Sequence, residues 1–240
     1  MYNYQIRVGY STTDRTLKMT VPAILSCFQD AAIFEAENGS ITMKYLKKHF
    51  LAWLLGAWQI VILRRPMLNE MVNVMTMPYD FKGFLGYRNF LMTSESGEAL
   101  VKGASIWSLI DTQKGHPTKL TEEMIQGYEL SEKIEMDYAP RKIVIKGSGE
   151  QKDAFAVRRY QIDSNGHMNN VEYVKLAMEL LSQQALNDTA QQIQQLRVEY
   201  KNPAFAGTLV VPVVYQQDNR MQIALNNTEG GVYAVVEFLL

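Results

Sequence analysis

The sequence predicts an α+β protein made of two similar halves, each a long helix wrapped by a curved antiparallel sheet. Two observations carry the prediction. An apolar helical pattern opens each half, at residues 21–38 and 170–186, and a train of strand-like segments follows each of them. A helix this apolar needs cover on most sides, and a curved sheet supplies it. Two such units in one chain form a tandem, or double, hot dog.

In the first half, Ile24, Cys27, Phe28, Ala31, Phe34 and Glu35 recur at steps of three and four. Thr20 can cap this helix, Pro22 suits its first turn and Gly39 is a stop. Strands are expected at 57–63, 71–79, 86–93 and 100–110, punctuated by Asn69, Lys82-Gly83 and Ser96-Gly97. In the second half a strand at 154–162 precedes the helix, whose face carries Val171, Val174, Met178, Leu181 and Ala185. Strands follow at 193–200, 207–215, 221–226 and 232–239, with Asp218-Asn219 and Gly230-Gly231 as turn pairs. Residues 112–149 are rich in charge, Pro and Gly and lack periodicity. The expected organisation is a first unit at 1–125, a surface linker at 126–149 and a second unit at 150–240.

Composition narrows the function. The chain has 240 residues, 47% hydrophobic and 20% charged, enough for a core without a disulfide or metal staple. Its 24 basic and 25 acidic residues give a net charge of −1, which points to neither nucleic acid nor a membrane surface. Cys27, the single cysteine, reads as a small core residue, and His49, His116 and His167 are too scattered for metal-ligand spacing. No metal or cofactor is expected. Residues 1–7 lack a basic segment followed by an apolar run, and the apolar stretch at 50–63 is broken by Gly56 and Gln59 and falls short of the roughly 20 residues of a membrane span. A cytoplasmic location without a signal peptide is expected.

The dense polar cluster, Tyr160 to Asn170, lies between a strand and a helix. A helix N-terminus there offers free N–H groups and favours developing negative charge, as on a carbonyl oxygen under nucleophilic attack. Backbone N–H groups near Asn169 and Asn170 are the expected oxyanion hole. Asp163, Asn165 and His167 alternate, so their side chains converge if the segment is extended. His167 suits a general base toward water. Asn165 can orient the imidazole or hold the carbonyl; Asp163 can polarise water, orient His167 or attack the carbonyl. Asx-Gly stretches are also turns and Asn169 or Asn170 is a good N-cap, but Gly166, the double Asn and the apolar helix together favour a site.

Asp163-Ser164-Asn165-Gly166-His167-Met168-Asn169-Asn170 resembles the Asp-x-Asn-x-His-Val-Asn-Asn motif of acyl-ACP thioesterases, and Glu179 falls where that family also carries a Glu. Leu196 to Lys201 is similar to its Leu-Glu-Tyr-Arg strand. In the first half, Phe28-Gln29-Asp30-Ala31-Ala32 with Gly39, then Trp53, Trp58 and Arg65-Pro66, then Ala104 to Trp107 through Pro117, match in order. The resemblance covers nearly the whole chain. It implies a double hot dog whose second half carries catalysis through Asp163, Asn165 and His167 and whose first half shapes the acyl pocket. One departure stands out: plant members have Glu-Cys where this sequence has Pro203-Ala204. Asp163 and His167 already supply two proton-handling groups; Glu35 and Glu172 are other carboxylates that could serve, and Glu199 matches a structural Glu.

The implied reaction is hydrolysis of fatty acyl-ACP to free fatty acid and holo-ACP in fatty acid biosynthesis. Its partners are the acyl carrier protein and a fatty acyl chain, with a second copy of the chain open at exposed sheet edges. Because the carrier is acidic, Arg158, Arg159, Lys175 and Lys201 are candidate docking residues. Arg158 and Arg159 would point to opposite faces of a strand, so one of them at most would serve. Met67, Met71, Met75, Met77 and Met92 are candidate adaptable lining of the acyl pocket. The rival readings are an acyl-CoA thioesterase of hot-dog type, a catalytically silent acyl-binding hot dog and, more weakly, a dehydratase.

Overall fold

The computed structural model describes residues 1–181 and 193–240. The chain divides into two compact units, Met1–Gly56 with Ile60–Tyr138 and Ala57–Gln59 with Ala139–Leu240.

The first unit runs β1 (Tyr2–Arg7), α1 (Val21–Asn38), α2 (Met43–Lys48), β2 (Leu51–Ile62, apart from Ala57–Gln59), β3 (Met71–Lys82), β4 (Leu85–Ser94), β5 (Ala99–Asp111), the short β6 (His116–Pro117) and α3 (Glu122–Gln126). Local chemistry sets the limits of α1. The Thr20 hydroxyl accepts the Ala23 N–H at 3.2 Å, Pro22 occupies the first turn, and Gly39 closes the helix by donating to Ala36 O. Its inner face buries Val21, Ile24, Leu25, Phe28, Ala31 and Ala32. The sheet order is β1-β3-β4-β5-β2. Phe28 of α1 meets Phe90 of β4 at 5.1 Å between ring centroids, which fixes the helix-facing side of the sheet. Gly103 on β5 allows this approach, since a Cβ there would lie 3.1 Å from the Phe28 ring and 3.2 Å from Phe90.

Strand alternation then assigns the other residues to faces. Thr76 pairs with Phe90 and Val74 with Met92, so Val72, Val74, Thr76, Arg88, Phe90 and Met92 face the helix. Met71, Met75 and Met77 face the other way and Met67 is exposed. The five methionines therefore do not line one surface, because period two splits them. Among the helix-facing residues, Arg88 forms an ion pair with Glu35 of α1 and donates to Thr76 Oγ1 at 2.9 Å.

The second unit contains β7 (Glu150–Gln151), β8 (Phe155–Ala156), α4 (Asn170–Met178), β9 (Gln195–Tyr200), β10 (Leu209–Gln217), β11 (Arg220–Asn226) and β12 (Val232–Leu239). Its sheet order is β9-β12-β11-β10-β7, with β8 beside β10, and α4 packs on β11 and β12. Val171, Tyr173, Val174 and Ala177 form the buried side of α4. The 182–186 end of the expected helix, including Ala185, lies outside the described residues. The strand expected at 154–162 shrinks to β8, because Arg159–Gln161 coils into a 3₁₀ turn and the Gln161 side chain accepts the Arg158 N–H at 2.8 Å.

Part of the region read as a linker is strapped down. Within the second unit, Arg197 donates to Glu237 at 2.7 Å, to Pro140 O at 2.5 Å and to Lys142 O at 3.2 Å. Gln222 joins Glu237 to Val144 O, and Glu199 accepts the Ile143 N–H. Main-chain groups without a ladder partner find buried side chains instead. Among the described residues, no helix is long and apolar enough to cross a membrane.

Candidate active site

The polar cluster forms a tight hairpin, not an extended segment. Ile162 and Met168 face each other across it. Asp163 donates its N–H to His167 O at 2.9 Å, and Gly166, at φ +82°, donates to Asp163 O at 3.0 Å. The carboxylate of Asp163 accepts the Asn165 N–H at 2.8 Å, an Asx turn that competes with strand geometry. The turn brings His167 Nδ1 to 3.8 Å from Asp163 Oδ1. The side chains of Asp163 and His167 are 15% and 23% exposed. Asn165 is exposed, and its side chain makes no hydrogen bond among the described residues.

The start of α4 divides the expected oxyanion donors. Asn169 is the N-cap, accepting the Val171 N–H at 2.9 Å, and its own N–H is committed to Gln161 O at 2.8 Å. It is therefore not an open donor. Asn170, first residue of α4, has an N–H with no acceptor among the described residues. Its carbonyl accepts the Tyr200 hydroxyl at 2.8 Å.

Two tyrosines outside the sequence-based reading brace this region. The Tyr173 hydroxyl accepts the Ala204 N–H at 2.9 Å, and Ala204 O accepts the Met168 N–H at 2.8 Å. Burial pushes Tyr173 up to about 12. Its ring meets Tyr200 edge-on, 5.7 Å between centroids. The available signal was Tyr173 in the first turn and a half of the motif's helix and Tyr200 at the end of the matching strand.

Of the four cations, Arg158 and Arg159 are exposed and make no ion pair among the described residues. They flank the 3₁₀ turn, so strand alternation does not separate them. Lys175 pairs with Glu172 at 2.5 Å, and Lys201 lies 3.7 Å from Glu199. Glu172 also accepts from Gln161 at 3.2 Å, tying the 3₁₀ turn to α4. Glu35 belongs to the first unit and is paired with Arg88. Among the described residues, no group of three or more His, Cys, Asp or Glu could hold a metal ion.

Residues 1–128 match the family described as acyl-ACP thioesterase N-terminal domain, and residues 146–236 match the acyl-ACP thioesterase C-terminal domain. The chain belongs to the acyl-ACP thioesterase family. An acyl-[acyl-carrier-protein] hydrolase of Cuphea viscosissima is 21% identical over 211 residues, covering 83% of this chain and 50% of that protein. The chain spans about half the length of the curated relatives it matches. An acyl-ACP thioesterase from Bacteroides thetaiotaomicron superposes with a TM-score of 0.90 at 18% identity, covering 99% of this chain and 96% of that one. A 12:0-ACP thioesterase from Umbellularia californica gives 0.84 at 15% identity, covering 99% and 95%. These likenesses show the fold, a double hot dog. At the two positions where this thioesterase-family sequence departs from the plant pattern, Pro203 is exposed, and Ala204 is buried and hydrogen-bonded through both its N–H and its carbonyl.

Proposed function

We propose that the chain hydrolyses fatty acyl-ACP to a free fatty acid and holo-ACP; relatives named acyl-ACP hydrolase and acyl-ACP thioesterase support the reading. The observation that carries the reading is the Asp163–His167 pair in the turn that leads directly into α4, whose first residue, Asn170, has an N–H without an acceptor among the described residues. His167 takes a proton from water, the hydroxide adds to the thioester carbonyl, and the oxyanion is received by the Asn170 N–H. Collapse expels the pantetheine thiolate, which recovers the proton from His167. Asp163 supplies negative charge beside the imidazolium; the alternative, attack by Asp163 itself, gives an anhydride that water then cleaves. Asn165, exposed at the tip of the turn, is assigned to holding the carbonyl.

The first unit is assigned the acyl pocket, and Arg158 and Arg159, which make no ion pair among the described residues, the carrier's acidic surface. Cytoplasmic residence and pairing with a second copy of the chain belong to the same proposal. The test is thiol release from matched acyl-ACP and acyl-CoA panels, with His167→Ala alongside. Preference for acyl-ACP that the variant abolishes supports the reading. Equal or better turnover of acyl-CoA moves it to an acyl-CoA thioesterase, and acyl binding without turnover moves it to a silent acyl binder.

A further inference from the structure

The first unit builds the turn of the candidate site a second time, bond for bond. Val8 exchanges main-chain hydrogen bonds with Asn69 and Glu70, and Val157 does the same with Gly207 and Thr208, all at 2.9 Å. A 3₁₀ turn follows each valine, Tyr10–Thr12 and Arg159–Gln161. Asp14 then repeats Asp163: its N–H goes to Lys18 O at 2.9 Å, its carbonyl accepts the Leu17 N–H at 2.9 Å, and its carboxylate accepts the Thr16 N–H at 2.8 Å. Leu17, at φ +59°, holds the place of Gly166. The buried Met19 and Met168 both donate to a neighbouring segment, to Pro66 O at 2.7 Å and to Ala204 O at 2.8 Å, and Thr20 and Asn169 cap the helices that follow. That segment is also in register: Leu63 and Arg64 both donate to Leu100 O, as Lys201 and Asn202 both donate to Tyr233 O. Lys18 is thus equivalent to His167, and Arg65 to Pro203.

The two copies differ in how the carboxylate is satisfied. Asp14 is saturated, with the Thr16 N–H and hydroxyl on one oxygen and Arg65 Nη1 on the other at 2.6 Å. Burial pushes its pKa up, but those bonds outweigh burial and hold the carboxyl below its usual range. Asp163 is the more buried of the two, its side chain 15% exposed against 31% for Asp14. Yet among the described residues it accepts only the Asn165 N–H, with His167 at the longer distance. A carboxylate with less water and fewer donors than its twin is costly unless something else completes it. The residue from whose place Arg65 reaches Asp14 is, in the second unit, an uncharged proline.

We propose that the second copy is active because position 203 carries no cation: with Asp163 Oδ2 unclaimed among the described residues, the full negative charge of the carboxylate stays available to steady His167, whose Nδ1 lies 3.8 Å from Oδ1, as it takes up a proton. The turn of the first unit differs at both places, with Lys18 for His167 and Arg65 for Pro203. A cation at 203 would claim Asp163 Oδ2 and place positive charge beside an imidazole that must become positive. This rests on the reading of Asp163 and His167 as the active centre. The test is Pro203→Arg, Pro203→Lys and Pro203→Gln in the full chain, with His167→Ala as reference, each assayed on acyl-ACP with its melting temperature recorded. Arg and Lys are expected to lower kcat by about tenfold or more at unchanged KM, and Gln by far less. If the Arg variant does not fold, the Lys and Gln pair decides on the same criterion. Wild-type kcat in a folded cationic variant, or equal losses with Lys and Gln, overturns the proposal. Full activity in His167→Ala overturns instead the reading beneath it.

Discussion

His167 Nδ1 stands 3.8 Å from Oδ1 of Asp163, within reach of Coulomb attraction and beyond hydrogen-bond length. That same oxygen accepts the Asn165 N–H at 2.8 Å, so the turn is held by the main chain and not by the imidazole. Asp163→Asn keeps an acceptor in place while removing the charge. Its melting temperature should stay near wild type while kcat falls by about 10²–10⁴. Asp163→Ala should lose both activity and stability. Thermal melts and steady-state kinetics on one preparation separate the two roles, and an Asn variant with near-normal kcat would take Asp163 out of the chemistry.

Tyr173 links α4 to the turn through Ala204, whose carbonyl holds Met168. Removing the hydroxyl leaves a buried N–H unsatisfied, so Tyr173→Phe should cost about 1–3 kcal/mol by urea denaturation. The pH dependence has a definite sign. Burial raises this phenol from 10 to about 12, so the folded chain holds the proton more tightly than the unfolded chain. The contribution is complete below about pH 10 and is lost as pH rises toward about 12. The stability gap between wild type and variant should therefore narrow across that window, and a constant gap would contradict the assignment.

Local chemistry was legible in the sequence, and register was not. Thr20, Pro22 and Gly39 bound α1 where the sequence places it, because capping is decided within a few residues. β1 could have been read from the alternation of Tyr2, Tyr4 and Ile6, since its residues alternate between half-buried and exposed. The commitment of the Asn169 N–H to Gln161 O depends on how two segments pair across a turn, which no single stretch encodes. The duplicated turn leaves only a faint trace in the sequence, Asp14 with Met19 and Asp163 with Met168, because the bonds that repeat are main-chain bonds.

Glu237, 3% exposed, lies under two arginines and Gln222 in the network that holds residues 140–144. Burial alone would raise its pKa, but Gln222, Arg220 and Arg197 outweigh it and hold the carboxyl below its usual range. Its contribution is therefore present above about pH 4.5 and lost as pH falls through the lower folded value. Glu237→Gln leaves the buried Arg197 without its charge partner and should cost about 3–5 kcal/mol at neutral pH. The variant should also show a shallower acid-unfolding limb and faster amide exchange at Ile143, whose N–H is held by Glu199. Unchanged exchange there would mean that the strap is held by other contacts.

Arg88 and Glu35 place a charge pair on the helix-facing side of the first unit's sheet, in line with Phe90 and Met92. Breaking such a pair strands the remaining charge, whereas replacing both members with apolar groups is close to neutral. Arg88→Met should therefore cost about 3–5 kcal/mol, because Glu35 and the Thr76 hydroxyl both lose their partner. The double variant Glu35→Leu/Arg88→Met should recover most of that loss, and denaturant titration of the two singles and the double gives the coupling directly. The double variant also bears on the acyl pocket assigned to this unit. If the acyl chain lies along the helix-facing layer, removing its charged end extends the apolar track, at about 0.8 kcal/mol for each methylene newly buried. The acyl-ACP length profile should then move toward longer chains at unchanged His167 dependence. A stable double variant with the wild-type profile would mean that the acyl chain does not reach this pair.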